Sequence, residues 1–136
     1  MKKIVVFYSF TGTTKVIAED LASKENADLL CIRDLQRPGM ITAYLKGCYY
    51  AIRGKSWPIE PLTFDLEAYD SIYVLSPVWA GKPAPAVNAF LERLPSGKDV
   101  YLKMISKSGN SNCKSLIGKV IAIKGSELRS FEDIKV

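Results

Sequence analysis

The sequence predicts an α/β domain built on a doubly wound parallel sheet of five strands, and three observations carry that expectation. Apolar runs of strand length alternate with helical patterns along the chain. The first run, Ile4-Val5-Val6-Phe7-Tyr8, is continuous rather than alternating, as in a strand buried on both faces. It opens directly onto Ser9-Phe10-Thr11-Gly12-Thr13-Thr14, a turn of hydroxyls around one glycine that leads into a helical pattern.

In order, the patterns place strands over 4–8, 28–33, 71–76, 99–105 and 119–124, with helices over 13–24, about 40–53 and 84–94. In the second helix Ile41, Tyr44, Leu45, Cys48 and Ile52 share one face. In the third, Val87, Phe90, Leu91 and Leu94 do the same, with Pro83 and Pro85 suited to its start and Pro95 and Gly97 to its end. Only about a dozen residues then separate the last two strands, near the lower limit for a crossover containing a helix. Ser126 onward has room for little more than two or three helical turns. This shortened C-terminal third leaves part of one sheet face uncovered, which predicts a homodimer or another assembly.

At 136 residues the chain reads as one domain spanning 1–136. No apolar run approaches the ~20 residues of a membrane helix, and Lys2 and Lys3 lead straight into a strand without a secretory core. The expectation is a cytoplasmic protein without a membrane partner. Histidine is absent, which excludes histidine-based zinc sites and histidine acid–base catalysis. Cys31, Cys48 and Cys113 are widely spaced and read as small packing residues. The sixth residue after Cys113 is Lys119, where a phosphatase loop needs arginine. A receiver domain wants acidic residues at the end of the first strand, where Ser9 and Phe10 stand. No residue is assigned a catalytic role and none a metal.

The 9–14 turn has the makings of a phosphate site. The free amides of a first helical turn point at an anion, and the helix dipole favours negative charge there. Ser9, Thr11, Thr13 and Thr14 add hydroxyls, and Gly12 lets the backbone approach closely. Four hydroxyls around one glycine exceed what helix capping requires. Neither G-x-x-x-x-G-K-[ST] nor G-x-G-x-x-G is present.

The Ser-Phe-Thr-Gly-Thr-Thr turn resembles the phosphate loop of the flavodoxin family, which holds the phosphate of FMN. A second stretch, Ser76-Pro77-Val78-Trp79-Ala80-Gly81-Lys82-Pro83-Ala84-Pro85-Ala86-Val87, resembles the loop that covers the flavin ring in that family. The stretch 44–55 also looks like a segment found in small flavodoxin-like proteins. The resemblance implies strand order 2-1-3-4-5, which brings both loops to one crevice, and FMN as cofactor. It implies cofactor contacts from Ser9, Thr11, Gly12, Thr13 and Thr14 on the phosphate side. On the ring side it implies Pro77, Val78, Trp79, Ala80 and Gly81, with Trp79 suited to stacking. The family's loop after the fourth strand corresponds to 106–111, where Ser108, Gly109 and Asn110 either donate to the ring or form a polar surface turn.

For activity, the resemblance implies an electron carrier or a flavin-dependent reductase, acting on a redox partner protein or a small quinone-type acceptor. The alternative is a flavodoxin-fold module that has lost FMN and works through protein contacts. Flavodoxins that carry electrons are typically acidic, whereas this chain has a formal charge of +5, spread over Arg33, Arg37, Lys46, Arg53, Lys55 and later lysines. That sign suits acidic partners or anionic substrates. Without a basic helix stripe or a stacking motif it does not read as nucleic-acid binding. Lys103 stands within a strand predicted to be buried, where a lysine is costly without a carboxylate.

Overall fold

The computed structural model describes residues 2–36 and 39–136, so Arg37 lies outside the described residues. Strand β1 (Lys3–Phe7) forms where the sequence has its continuous apolar run, and Ile4, Val5 and Val6 are fully buried. Helix α1 (Thr13–Glu25) follows, and β2 (Asp28–Cys31) pairs parallel to β1. Asn26 ends α1 in the left-handed region at φ 51°, its amide donating back to Ala22 and Ser23, with Lys24 at the negative end of the helix dipole.

The second helical segment is a composite of α2 (Met40–Thr42), a π-helical turn (Ala43–Gly47) and α3 (Cys48–Ile52). Beyond it come β3 (Ser71–Trp79), a short returning strand β4 (Lys82–Pro83), α4 (Pro85–Glu92) and β5 (Asp99–Ser106). Helix α5 (Lys114–Ile123) and β6 (Glu127–Lys135) complete the chain order. The sheet runs β2-β1-β3-β5-β6, all parallel, with β4 added antiparallel to the end of β3. Counting the five parallel strands in sequence, this is the expected order 2-1-3-4-5.

One face of the sheet, with Ile4, Val6, Ile72, Val74, Leu102 and Met104, packs on α4 and α5. The other, with Val5, Phe7, Leu75 and Ile105, packs on Ala18 and Ala22 of α1. Burying side chains of this kind on both faces stabilises the domain by roughly 1.5–3 kcal/mol each.

The C-terminal third differs from the sequence expectation. The run 119–124 is the end of helix α5, and the fifth strand is 127–135. A run such as Val120-Ile121-Ala122-Ile123 suits a buried strand or a buried helix, and periodicity alone does not separate them. The deciding contacts are Cys113, Ile117 and Ile121, spaced by four and fully or nearly fully buried. The crossover therefore does contain a helix, and α5 packs beside α4 on the same face of the sheet. Ser126 closes the connection, donating to Pro95 O (2.7 Å) and accepting from Lys98 N (3.0 Å).

The segment 40–52 turns its larger apolar side chains outward. Ile41, Tyr44, Leu45 and Ile52 are 60–77% exposed, and the buried positions are Ala43, Gly47 and Ala51. The small residues face inward because two tryptophans lie against the helix there. Lys103 is accounted for as well: its Nζ meets Glu132 Oε2 at 2.6 Å, across the β5–β6 pair on the side of the sheet that carries α1.

Candidate functional site

The C-terminal ends of β1 and β3 lie side by side, with Phe7 opposite Leu75, and the turns that follow them open on the same edge of the sheet. This is the switch point of the topology, where the strand order reverses and open α/β sheets hold ligands.

After β1, the chain turns through 9–12 before α1 begins. Gly12 has φ 103°, a conformation that L side chains rarely adopt, and nothing lies within 4 Å of where a Cβ would stand. Its amide donates to Ser9 Oγ (3.0 Å), so that hydroxyl shapes the turn and keeps its own proton to donate. Gly12 is the N-cap of α1 and offers no side-chain cap, so the amides that begin the helix face outward without one. Thr11 and Thr13 are exposed beside them, whereas Thr14 is buried against the domain.

After β3, the chain reverses in two residues. Ala80 (φ 51°) and Gly81 (φ 83°) both occupy the left-handed region, and Trp79 pairs with Lys82 across them, the geometry of a type I′ hairpin turn. Ser76 anchors this excursion. It is fully buried, accepts from Ala84 N (3.1 Å) and donates to Pro77 O (2.9 Å), pinning the base of the 77–83 hairpin to the start of α4.

Trp79 is held by three edge-on aromatic contacts, with centroids 6.0 Å from Tyr8, 5.8 Å from Phe10 and 5.7 Å from Trp57. Such contacts contribute about 0.5–1.5 kcal/mol each beyond burial. Trp57 is fixed in turn by its Nε1, which donates to Asp34 Oδ1 (2.9 Å), while Tyr8 Oη donates to Asp34 Oδ2 (2.8 Å). One carboxylate thus ties the end of β1 to the wall of tryptophans.

Phe10, Val78, Trp79 and Ala80 form one side of an open crevice of about 340 Å³ whose other side is Met40, Ala43, Tyr44 and Cys48. Its volume lies at the lower end of the range for small-molecule sites. The phosphate-type turn adjoins it through Phe10. An uncapped helix start, a glycine-only bend and an apolar crevice beside them suit a ligand with an anionic tail and a flat apolar ring. A groove of about 560 Å³ between α5 and β6 lies at the far edge of the sheet, away from the switch point.

Of the residues expected from sequence, the structure brings Ser9, Thr11, Gly12, Thr13 and Thr14 together in one turn and Pro77, Val78, Trp79, Ala80 and Gly81 in the other. Ser108, Gly109 and Asn110 form a turn closed on itself, with Gly109 N donating to Ser106 Oγ (2.9 Å) and Asn110 N to Ser108 Oγ (3.3 Å). They do not line the crevice, and Gly109 packs against Lys135 of β6. The residue of that loop that meets the hairpin is Asn112, whose amide donates to Gly81 O (3.0 Å) and whose carbonyl accepts from Lys82 Nζ (3.0 Å). The sequence alone does not single out Met40, Tyr44 and Cys48 on the crevice wall as ligand contacts. The signal for them is the Ala43, Gly47, Ala51 spacing, which turns the larger side chains outward. Burial pushes the Cys31 and Cys113 thiols up, consistent with packing rather than nucleophilic roles.

The strand order and its flanking helices make this a flavodoxin-like α/β fold. The chain superposes on the flavoprotein of Lactobacillus acidophilus NCFM crystallised in complex with FMN, at a TM-score of 0.78 and 23% identity over 96% of this chain and 91% of that one. The NMR structure of the apo form of that flavoprotein matches at a TM-score of 0.70 and 23% identity, over 97% and 92% of the two chains. Oxidised flavodoxin 2 from Bacillus cereus matches at 0.60 and 18% identity, over 100% and 85%. No family model matches the chain, and no curated protein sequence does.

Proposed function

We propose that the crevice binds FMN and that the protein is a flavin-dependent redox protein, an electron carrier or a reductase acting on a protein or a small quinone-type acceptor. The observation that carries this reading is the contact between Phe10 and Trp79, centroids 5.8 Å apart. It joins a turn suited to a phosphate and a hairpin suited to a flat ring into one continuous site. The likeness to a flavoprotein crystallised with FMN supports the choice of ligand.

In this reading the amides that begin α1 and the hydroxyls of Ser9, Thr11 and Thr13 hold the phosphate through neutral donors. Phe10, Val78 and Trp79 bury one side of the ring system, and Met40 and Tyr44 shield it from the helical side. The left-handed Ala80-Gly81 turn directs backbone groups toward the ring edge, and Asn112 fixes that turn from behind. FMN, when bound, supplies one- or two-electron chemistry, and the protein positions and tunes it. The free thiols Cys31, Cys48 and Cys113 fit a reducing compartment, and we propose a cytoplasmic location.

The test is the visible spectrum of the purified protein after FMN addition and desalting. A retained, shifted flavin band is expected, and Thr11→Glu with Thr13→Glu is expected to abolish retention while leaving the far-UV circular dichroism unchanged. A wild-type protein that lets FMN pass through the column overturns the reading in favour of an interaction module.

A further inference from the structure

Met40 and Tyr44 account for only part of the apolar surface that the second helical segment exposes. Ile41 is 77% exposed, Leu45 64%, Ile52 60% and Tyr49 49%, and none of the four lines the crevice. Spaced by three or four residues, they make one apolar stripe on the outer side of the segment. Its inner side, Ala43, Gly47 and Ala51, is buried in the domain. Water-facing stripes of this length on a folded domain mark interaction surfaces.

Charge identifies the partner. Between Asp34 and Glu60 the sequence has no carboxylate at all, while Arg37, Lys46, Arg53 and Lys55 fall within that interval. Lys46, Arg53 and Lys55 are exposed. Arg53 already lies over the ring of Tyr49, 5.4 Å from its centroid, which pre-orders two side chains of the stripe. Tyr, Met and Arg are the residue types enriched in the centres of protein interfaces. A second copy of the chain would set this basic stripe against itself or against another surface of a protein that carries net positive charge, which is unfavourable.

We propose that the stripe Ile41, Leu45, Tyr49 and Ile52, with Lys46, Arg53 and Lys55 around it, is a docking surface for an acidic redox protein. The stripe continues directly from the crevice wall at Met40 and Tyr44, so a partner seated on it stands beside the site. The redox identity of the partner rests on the FMN reading, whereas the docking surface and its charge preference do not.

The test uses isotope-labelled whole protein, titrated at low ionic strength with cytochrome b5 as an acidic haem protein and with cytochrome c as a cationic one. Amide shifts are expected to centre on 41–53 with cytochrome b5 and to be absent with cytochrome c. They are expected to collapse in high salt. The combined variant Lys46→Glu, Arg53→Glu, Lys55→Glu is expected to weaken binding by roughly tenfold or more without loss of thermal stability. Shifts centred elsewhere, no response to cytochrome b5, self-association through the stripe in sedimentation velocity, or flotation with phosphatidylserine vesicles in its place each overturn the proposal. The flavin spectrum of the same samples separates the two readings. A protein that retains FMN and ignores cytochrome b5 sinks the docking surface alone; one that docks at 41–53 without retaining FMN sinks the cofactor and the partner's redox identity, and leaves the docking surface and its charge preference standing.

Discussion

Gly47 lies against the indole of Trp79 so closely that a Cβ on it would stand 2.7 Å from Trp79 Cε3, closer still to Cζ3, and 3.3 Å from Trp57 Cη2. The helix backbone is the surface on which both tryptophans rest, and its π-helical turn ends at that residue. Glycine is required here for close approach, since its φ of −61° is open to any residue.

Gly47→Ala is therefore expected to push the indole off its seat, at a cost of about 1–3 kcal/mol from overpacking. Both the thermal midpoint and the near-UV circular dichroism of the tryptophans should change. If the two stay at their wild-type values, the helix and Trp79 are not in the contact described.

Ala80 tests the hairpin. A residue with a Cβ in the left-handed region costs about 1–2 kcal/mol, and glycine there gives back part of that gain by loosening the unfolded chain. Ala80→Gly is expected to stabilise the fold by up to about 1 kcal/mol, read as a higher urea midpoint, and Ala80→Val to lower that midpoint. Equal midpoints for the two variants would show that the turn is not held with φ positive at that position.

Asp34 is the joint between β1 and the tryptophan wall. Removing its carboxylate leaves the Tyr8 hydroxyl, on a side chain only 1% exposed, and the Trp57 N–H without that acceptor. Taking an acceptor from a buried donor costs about 1–3 kcal/mol, so Asp34→Ala should destabilise by about that much, and Asp34→Asn, which retains one carbonyl acceptor, by less. Chemical denaturation followed by tryptophan fluorescence measures both. A neutral Asp34→Ala would refute the role given to this carboxylate.

How much of this is legible without the structure depends on whether one face or two decide a residue's fate. Ile4 to Phe7 are buried on both sides, so their hydrophobicity alone locates β1, and the hydroxyl turn after it is recognisable from composition. Val87, Phe90 and Leu91 have one inward stripe and read correctly as α4. The fifth strand escapes because it lies at the sheet edge, where Glu127, Arg129, Ser130 and Glu132 face water and dilute the apolar signal. The apolar end of α5 takes its place in the pattern. The orientation of 40–52 is not legible because apolar spacing says which residues share a face and not which way that face points. The two tryptophans, both outside the segment, lie against its small residues. The pairing of Asn112 with Gly81 joins two loops whose approach depends on the register of β3 with β5 and leaves no local pattern.

Two phenols, Tyr69 buried and Tyr73 half-buried, make the protein sensitive to alkaline pH. Tyr69 and Tyr73 are pushed up to about 12, first by burial and then by donating their hydroxyl protons to Asp28 (2.5 Å) and Glu25 (2.8 Å). In the unfolded chain both phenols ionise near 10. Between about pH 10 and 12 the unfolded state therefore binds fewer protons than the folded one, and stability falls as pH rises. At the acid end the same bond acts in the opposite direction. The Tyr73 hydroxyl, followed by Lys3, holds Glu25 below the usual carboxylate range, a contribution present at neutral pH and lost as pH falls through the folded value. Absorbance of the phenolates and urea midpoints measured across both ranges report the two effects. Tyr69→Phe and Tyr73→Phe should each flatten the alkaline decline, and Tyr73→Phe should also soften the acid one. If Tyr73→Phe left the acid limb untouched while flattening the alkaline limb, the Tyr73–Glu25 bond would not be what lowers Glu25.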